Sequence, residues 1–160
     1  MLKRLRGIWA STLYVQIWKD RLRVFDPSSN ERFDETSLVA IRDGMILAAG
    51  NEAKRYDGNR DVDLVNPFDH PRMLIGNWIV AERLLQHAVR LLFKESLIRP
   101  APKMNLHPME SLEGGLSDVE KRALRELAIS AGGRDVAIHV GPELARRDIQ
   151  FESVQKAEDD

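Results

Sequence analysis

The sequence predicts an α/β domain: three antiparallel strands, then alternating helices and strands, with a small β-rich segment inserted between the two parts. Three observations carry this. Leu13–Trp18 and Arg21–Asp26 alternate in side-chain character as strands do, with only Lys19-Asp20 between them for a turn. Asp43-Gly44, flanked by Leu38–Arg42 and Met45–Ala49, is a strong hairpin signal, because the favoured two-residue turn needs residues that tolerate positive φ. Beyond Pro71 a long helical period covers Asn77–Leu97, and strand and helix patterns then alternate.

Met1–Ala10 reads as a short amphipathic helix. At 100° per residue, Leu2, Leu5, Ile8 and Trp9 share an arc of roughly 120°, and Lys3, Arg4 and Arg6 fall opposite. After the first two strands, Pro27-Ser28-Ser29-Asn30 is a turn by composition, and Glu31–Glu35 a third, edge strand. Asn51–Tyr56 follows the hairpin as a short helix with Asn51 as its cap. Gly58–Asp63 is a polar loop, Val62–Asn66 a strand, and Pro67–Pro71 a break. The helix Asn77–Leu97 is apolar on more than one side, so it is buried on two faces or has a partner. Arg99-Pro100-Ala101-Pro102 ends it, and Lys103–His107 is a strand. Ser117-x-x-Glu120 is a capping box opening a helix to about Ala131, where Gly132-Gly133 stops it. Val136–Val140 is the last strand, and Pro142–Arg147 one helical turn. The expected organisation is a helix at 1–10, a domain at 11–148 with its insert at about 36–66, and a polar acidic tail at 149–160.

With 160 residues the chain suffices for one compact domain. A hydrophobic share of 43% and a charged share of 31% are ordinary for a globular protein, and a net charge of −1 gives no field toward nucleic acid. Basic Lys3, Arg4 and Arg6 open the chain, and Glu158, Asp159 and Asp160 close it. With no cysteine there is neither a disulfide framework nor thiolate chemistry, in keeping with a reducing cytosol. No apolar run approaches the ~18 residues of a membrane span, and the basic N-terminus lacks the continuous apolar core of a secretory signal.

From Met1, MLKRLRGIWASTLYVQIW resembles the opening of the bacterial actin MreB, the rod shape-determining family. Leu38–Arg42 resembles that family's S-V-V-A-I-R, Ala49–Lys54 its V-G-x-x-A-K, and Glu82–His87 its E-K-M-L-Q-H. Ile98–Pro102 resembles M-R-P-S-P, and Val119–Glu126 resembles V-E-R-R-A-I-R-E. The resemblance implies domain I of an actin-like ATPase fold, ribonuclease H-like, with its small subdomain inserted. It also implies where a nucleotide would sit. In the family the first strand carries an Asp that helps hold the metal, and a Gly-rich loop after it wraps the phosphates. Here Gln16 stands in place of the Asp, Trp18 in place of the first Gly, and the loop shrinks to two residues. The family's last strand ends in Glu-Glu-Pro, whose second Glu positions the attacking water; Gly141 takes its place in Val140-Gly141-Pro142. The chain also stops before the second Gly-rich loop and domain II. The resemblance therefore implies degenerate cofactor positions at Gln16, Trp18 and Gly141, no cofactor, no metal and no catalytic residue.

Weighed without the resemblance, these residues have ordinary roles. Gln16 fits a polar strand residue facing solvent or a neighbour, and Trp18 a ring filling space. His70, His87, His107 and His139 are scattered without metal-ligand spacing. Gly114-Gly115 and Gly132-Gly133 match neither phosphate-binding motif and flank helix ends. No Ser or Thr sits in a nucleophile motif, and Glu120 and Glu126 lie among Lys121, Arg122 and Arg125 on a solvated or partner-facing helix side. The positive site is the N-terminal helix. Leu2, Leu5, Ile8 and Trp9 suit a membrane interface, Lys3, Arg4 and Arg6 suit anionic lipid, and the family's MLKK-type opening is itself membrane-binding.

The expected function is that of a non-catalytic, MreB-like protein peripheral on the inner face of the cytoplasmic membrane, an adaptor or modulator of the cell-shape cytoskeleton. Its expected partners are the lipid surface, a bacterial actin or cell-envelope proteins, and a second copy of itself, with no nucleic acid. The alternatives are an actin-like protein that binds ATP weakly or completes its cleft with a partner, and a pilus- or secretion-type scaffold.

Overall fold

The computed structural model describes residues 11–95, 100–110 and 114–160. Among the described residues eight strands form two sheets: β1 Thr12–Ile17, β2 Arg21–Phe25, β3 Arg32–Thr36, β4 Val39–Arg42, β5 Met45–Ala49, β6 Asp63–Val65, β7 Lys103–Pro108 and β8 Asp135–Ile138. The larger sheet has the order β3-β2-β1-β7-β8, and the smaller β5-β4-β6. β1, β2 and β3 pair antiparallel; β7 joins β1 in parallel, and β8 joins β7 in parallel. This is the α/β arrangement that the residue pattern predicts, three antiparallel strands followed by alternating helices and strands.

Local chemistry explains the turns. The first hairpin closes through Trp18 N–H to the Arg21 carbonyl at 2.9 Å. In the second, Asp43 and Gly44 have φ of 52° and 75°, the conformation a two-residue turn between twisted strands requires. The short helix Gly50–Tyr56 that follows is a 3-10 helix. The residue before it, Ala49, supplies no side-chain cap. Asn51, expected as that cap, instead accepts from Thr36 N–H at 3.1 Å and so ties the insert to β3.

The first face of the large sheet carries the main core. Leu13, Val15, Ile17, Met104 and Leu106 pack against Leu84, Leu85 and Ala88 of helix α1 (Trp78–Leu92) and Leu124 and Leu127 of helix α2 (Asp118–Ser130). Asn77 caps α1 by accepting from Val80 N–H at 3.1 Å, and the Ser117–Glu120 capping box opens α2 as the sequence predicts. α1 ends at Leu92 rather than Leu97. Its surplus apolar positions divide: Trp78 and Phe93 pack half-buried on the core, and Ile79 and Leu91 stay exposed.

The second face is also covered, and the covering element corrects the expected polar tail. Phe151–Asp159 forms a helix, α3, whose Phe151 and Val154 pack on Ala137 of β8. Two apolar residues three apart make only a narrow stripe, too sparse to stand out among charges. Ion pairs complete the docking. The Glu158 carboxylate, nearly buried, accepts from Ile138 N–H at 2.8 Å and pairs with Arg125, which also donates to the Val136 carbonyl at 2.8 Å. Lys103 bonds Glu152 at 2.8 Å and sits over the Phe151 ring. The expected helical turn at Pro142–Arg147 is an irregular strap followed by a 3-10 turn, Arg146–Asp148.

Candidate functional site

The second sheet face presents polar side chains at the end of β1. Register explains which ones. Gln16 pairs with Arg23 on β2, and Arg23 with Asp34 on β3, so the three lie side by side on one face. Gln16 is fully buried, and its amide is used on both sides. Its Oε1 accepts from Arg23 Nη1 at 3.0 Å, and its Nε2 donates to Glu143 Oε1 at 2.9 Å. Arg23 Nη1 also reaches Glu143 Oε1 at 3.0 Å, closing a triangle. Behind it, Arg21 grips Asp34 with two bonds of 2.6 and 2.7 Å, and Arg23 Nε adds a third at 3.3 Å. The hydrogen bond from Arg21 holds the Asp34 carboxyl below its ordinary range, and that from Gln16, helped by Arg23, does the same for Glu143. Both carboxylates are therefore charged at neutral pH.

Trp18 leaves β1 directly beside this network. The guanidinium carbons of Arg21 and Arg23 lie 4.7 and 5.4 Å from its ring centroid, a cation–π arrangement. The next backbone donor, Lys19 N–H, is held by the Glu110 carboxylate at 2.6 Å.

Gly141 lies on the strap Gly141–Leu144 that carries Glu143. Its φ of 143° is one that residues with a Cβ rarely adopt. Its carbonyl accepts from His107 Nε2 at 2.9 Å. A carbonyl can only accept, so Nε2 bears the hydrogen, and Nδ1 accepts from the Tyr14 hydroxyl at 2.6 Å. Tyr14 in turn accepts from Leu144 N–H at 3.2 Å. Burial, then the neighbouring His139, lowers the pKa of His107, which keeps this neutral tautomer. His139, 4.7 Å away ring to ring, bonds the Pro142 carbonyl at 2.7 Å.

The three positions singled out in the sequence thus meet at one end of the sheet, joined through Arg23, Glu143 and His107. The interior setting of Gln16 is settled in favour of a neighbour over solvent. His107 and His139, scattered in sequence, adjoin in space, yet among the described residues no group of three His, Cys, Asp or Glu is placed to hold a metal. Sequence reasoning missed Arg23, Asp34, Tyr14, His107 and Glu143. Strand register could have found the first two; no local signal links Glu143 to them. The membrane-binding set Leu2, Lys3, Arg4, Leu5, Arg6, Ile8 and Trp9 lies outside the described residues. Among the described residues no helix is long and apolar enough to cross a membrane. A separate apolar cavity of about 340 Å³ lies between the start of α1 and α2, lined by Met73, Leu74, Ile75, Trp78, Val119 and Ala123 among others.

No family model matches the chain. It is similar to the cell shape-determining protein MreB of Escherichia coli K12, with 28% identity over 142 residues, covering 85% of this chain and 40% of that protein. It is also similar to the uncharacterized protein YjaA of the same organism, with 36% identity over 98 residues, 58% of this chain and 73% of YjaA. Among solved structures, MreB5 of Spiroplasma citri bound to AMPPNP superposes with a TM-score of 0.64 at 20% identity, over 81% of this chain and 38% of that one. The MamK double helical filament superposes at 0.57 with 18% identity, over 80% of this chain and 40% of that one. The chain thus spans about 40% of the length of the curated MreB it matches. The chain is thus MreB-like in sequence and actin-like in fold, and it belongs to one family with YjaA.

Proposed function

We propose that the chain is a non-catalytic MreB-like protein that acts as an adaptor or modulator of the cell-shape cytoskeleton at the inner face of the cytoplasmic membrane. One observation carries the non-catalytic part: the donors at the end of β1 are held by the protein's own carboxylates. Glu110 holds Lys19 N–H, and Glu143 holds Gln16 and Arg23. Phosphate binding at a strand end needs free backbone N–H groups in a glycine-rich turn. Here the turn has two residues, and Trp18 N–H is spent on closing it. These residues do not fit a nucleotide's phosphates with their metal. Calorimetry with Mg-ATP tests the reading. We expect no heat of binding at micromolar ligand and no turnover above blank; either one would overturn it. Gln16→Asp alone is expected to restore neither, because the loop remains absent. The alternative of weak nucleotide binding draws support from the AMPPNP-bound MreB5 structure, and the same titration decides it.

Membrane attachment rests on the sequence of Met1–Ala10. Each basic residue near an anionic surface contributes on the order of 1 kcal/mol. Partial burial of Leu2, Leu5, Ile8 and Trp9 adds to that, offset by ordering of the segment. One such helix gives weak, reversible attachment, which self-association would strengthen. Co-sedimentation with liposomes is expected to rise with anionic lipid, fall with salt, and vanish on removal of residues 1–10. Unchanged co-sedimentation after that removal would sink the idea.

A further inference from the structure

Glu143 differs from the groups that hold it. Gln16 is fully buried and Arg23 has 25% of its side chain exposed, whereas the Glu143 side chain is 52% exposed. It enters from the strap, not from the sheet. Two donors, fixed by β-sheet register and by the Asp34 carboxylate behind Arg23, converge on one oxygen of a carboxylate that arrives from outside. That is the anatomy of a receptor and its ligand, with the ligand supplied by the same chain.

We propose that Gln16 and Arg23 form a carboxylate-binding fork, occupied in cis by Glu143, that takes the carboxylate of an acidic peptide segment of a partner protein when the Gly141–Leu144 strap is displaced. The fork's chemistry selects the ligand. A planar guanidinium edge and an amide N–H suit a carboxylate oxygen. The strap makes the cis ligand hard to displace. His107 holds Gly141, Tyr14 holds Leu144, and Arg146 holds the Pro27 carbonyl at 2.9 Å. A tethered group competes at an effective concentration of about millimolar or more, so free carboxylates bind the native chain poorly. The lowered pKa of Glu143, caused first by the Gln16 hydrogen bond and helped by Arg23, agrees with a fork that favours the charged form. The ligand's bearer rests on the adaptor reading above; the fork itself does not. ATP binding would defeat that reading and leave the result below unchanged.

The test uses the full chain and fluorescence anisotropy with a dye-labelled peptide of alternating glycine and glutamate, beside its glutamine counterpart. Glu143→Ala is expected to bind the glutamate peptide about tenfold tighter than the native chain, the scale of one charge-assisted hydrogen bond. Neither protein is expected to bind the glutamine peptide, and Arg23→Met added to Glu143→Ala should abolish the gain. Equal affinity in native and Glu143→Ala chains, or a gain that survives Arg23→Met, would overturn the proposal. A second measurement covers a double variant that fails to fold. Sodium acetate should raise the melting temperature of Glu143→Ala above the effect of sodium chloride at equal ionic strength, and should not do so for the native chain. No acetate-specific rise, or a larger rise with phosphate than with acetate, would equally refute a carboxylate fork.

Discussion

His107 ties the strap to the sheet through three groups in a row: the Tyr14 hydroxyl, the imidazole and the Gly141 carbonyl. The neutral ring is required, because Nδ1 must accept while Nε2 donates. This makes stability depend on pH in a defined direction. The folded-state pKa lies below the ordinary 6.5, so between the two values the unfolded chain binds more protons. The contribution is complete above 6.5 and is lost as pH falls through the folded value. His87, lowered by burial, acts in the same direction. Glu143 and Asp34, also lowered, keep their contributions until pH drops below their ordinary values of 4.5 and 3.8. Urea midpoints are expected to be flat from pH 8 to 7 and to fall between pH 6.5 and 5, before the carboxylates titrate. A midpoint that rises on acidification through that window would contradict the neutral His107. Tyr14→Phe removes the donor to His107 and the acceptor of Leu144 N–H together. Its expected cost is about 1–3 kcal/mol by urea denaturation, the penalty for buried polar groups left unpaired.

At the scale of elements, much was legible. The strands, both hairpins, the two long helices and the Ser117–Glu120 box follow from period, turn chemistry and caps, all written within a few residues of one another. The failures have a common cause. Asn51 reads as a cap because its neighbours are helical, but its partner is Thr36, on another strand. Gln16 reads as a polar strand residue facing solvent or a neighbour, and the choice is open in sequence because the cover over its face comes from residues 141–160. Phe151–Asp159 reads as a tail because two apolar residues do not announce a helix; what holds it is an ion pair and a strand N–H that only folding brings together. Glu158 is therefore the residue on which that helix turns. Its side chain is 6% exposed, between Ile138 N–H and Arg125. Glu158→Ala strips Ile138 N–H of its acceptor, while Arg125, 37% exposed, keeps the Val136 carbonyl and water, so we expect a loss of about 1–3 kcal/mol, the cost of a buried donor left unpaired. Hydrogen exchange should speed at Ile138 and along α3 before the β1–β7 core is affected. A change below about 0.5 kcal/mol, typical of surface sites, would mean that Phe151, Val154 and the Lys103–Glu152 pair suffice to dock the helix.

For the molecule as a whole, the two faces of the large sheet are closed by different means, and several exposed apolar side chains gather over the first. Helix α3 and the strap cover the second face, while on the first side Met73, in the loop before α1, and Ile79 and Val119, on α1 and α2, are exposed at 51%, 69% and 77%. Met73 and Val119 also line the apolar cavity between α1 and α2. Contiguous apolar surface beyond a few hundred Å² is unusual on a monomer, whereas single exposed residues are ordinary. The clustering around one cavity favours a partner. We expect a concentration-dependent mass by light scattering, or binding to a bacterial actin presented in solution. Val119→Glu should weaken that association about tenfold or more, because it places a charge at the rim of an apolar contact. Its thermal stability should barely move, since the side chain is largely exposed. A strictly monomeric mass at high concentration, together with no binding to a bacterial actin, would reject association. Ile79 and Val119 would then be ordinary exposed residues, and the cavity a packing fault between two helices. A fall in stability equal to the fall in association would instead place Val119 in the fold.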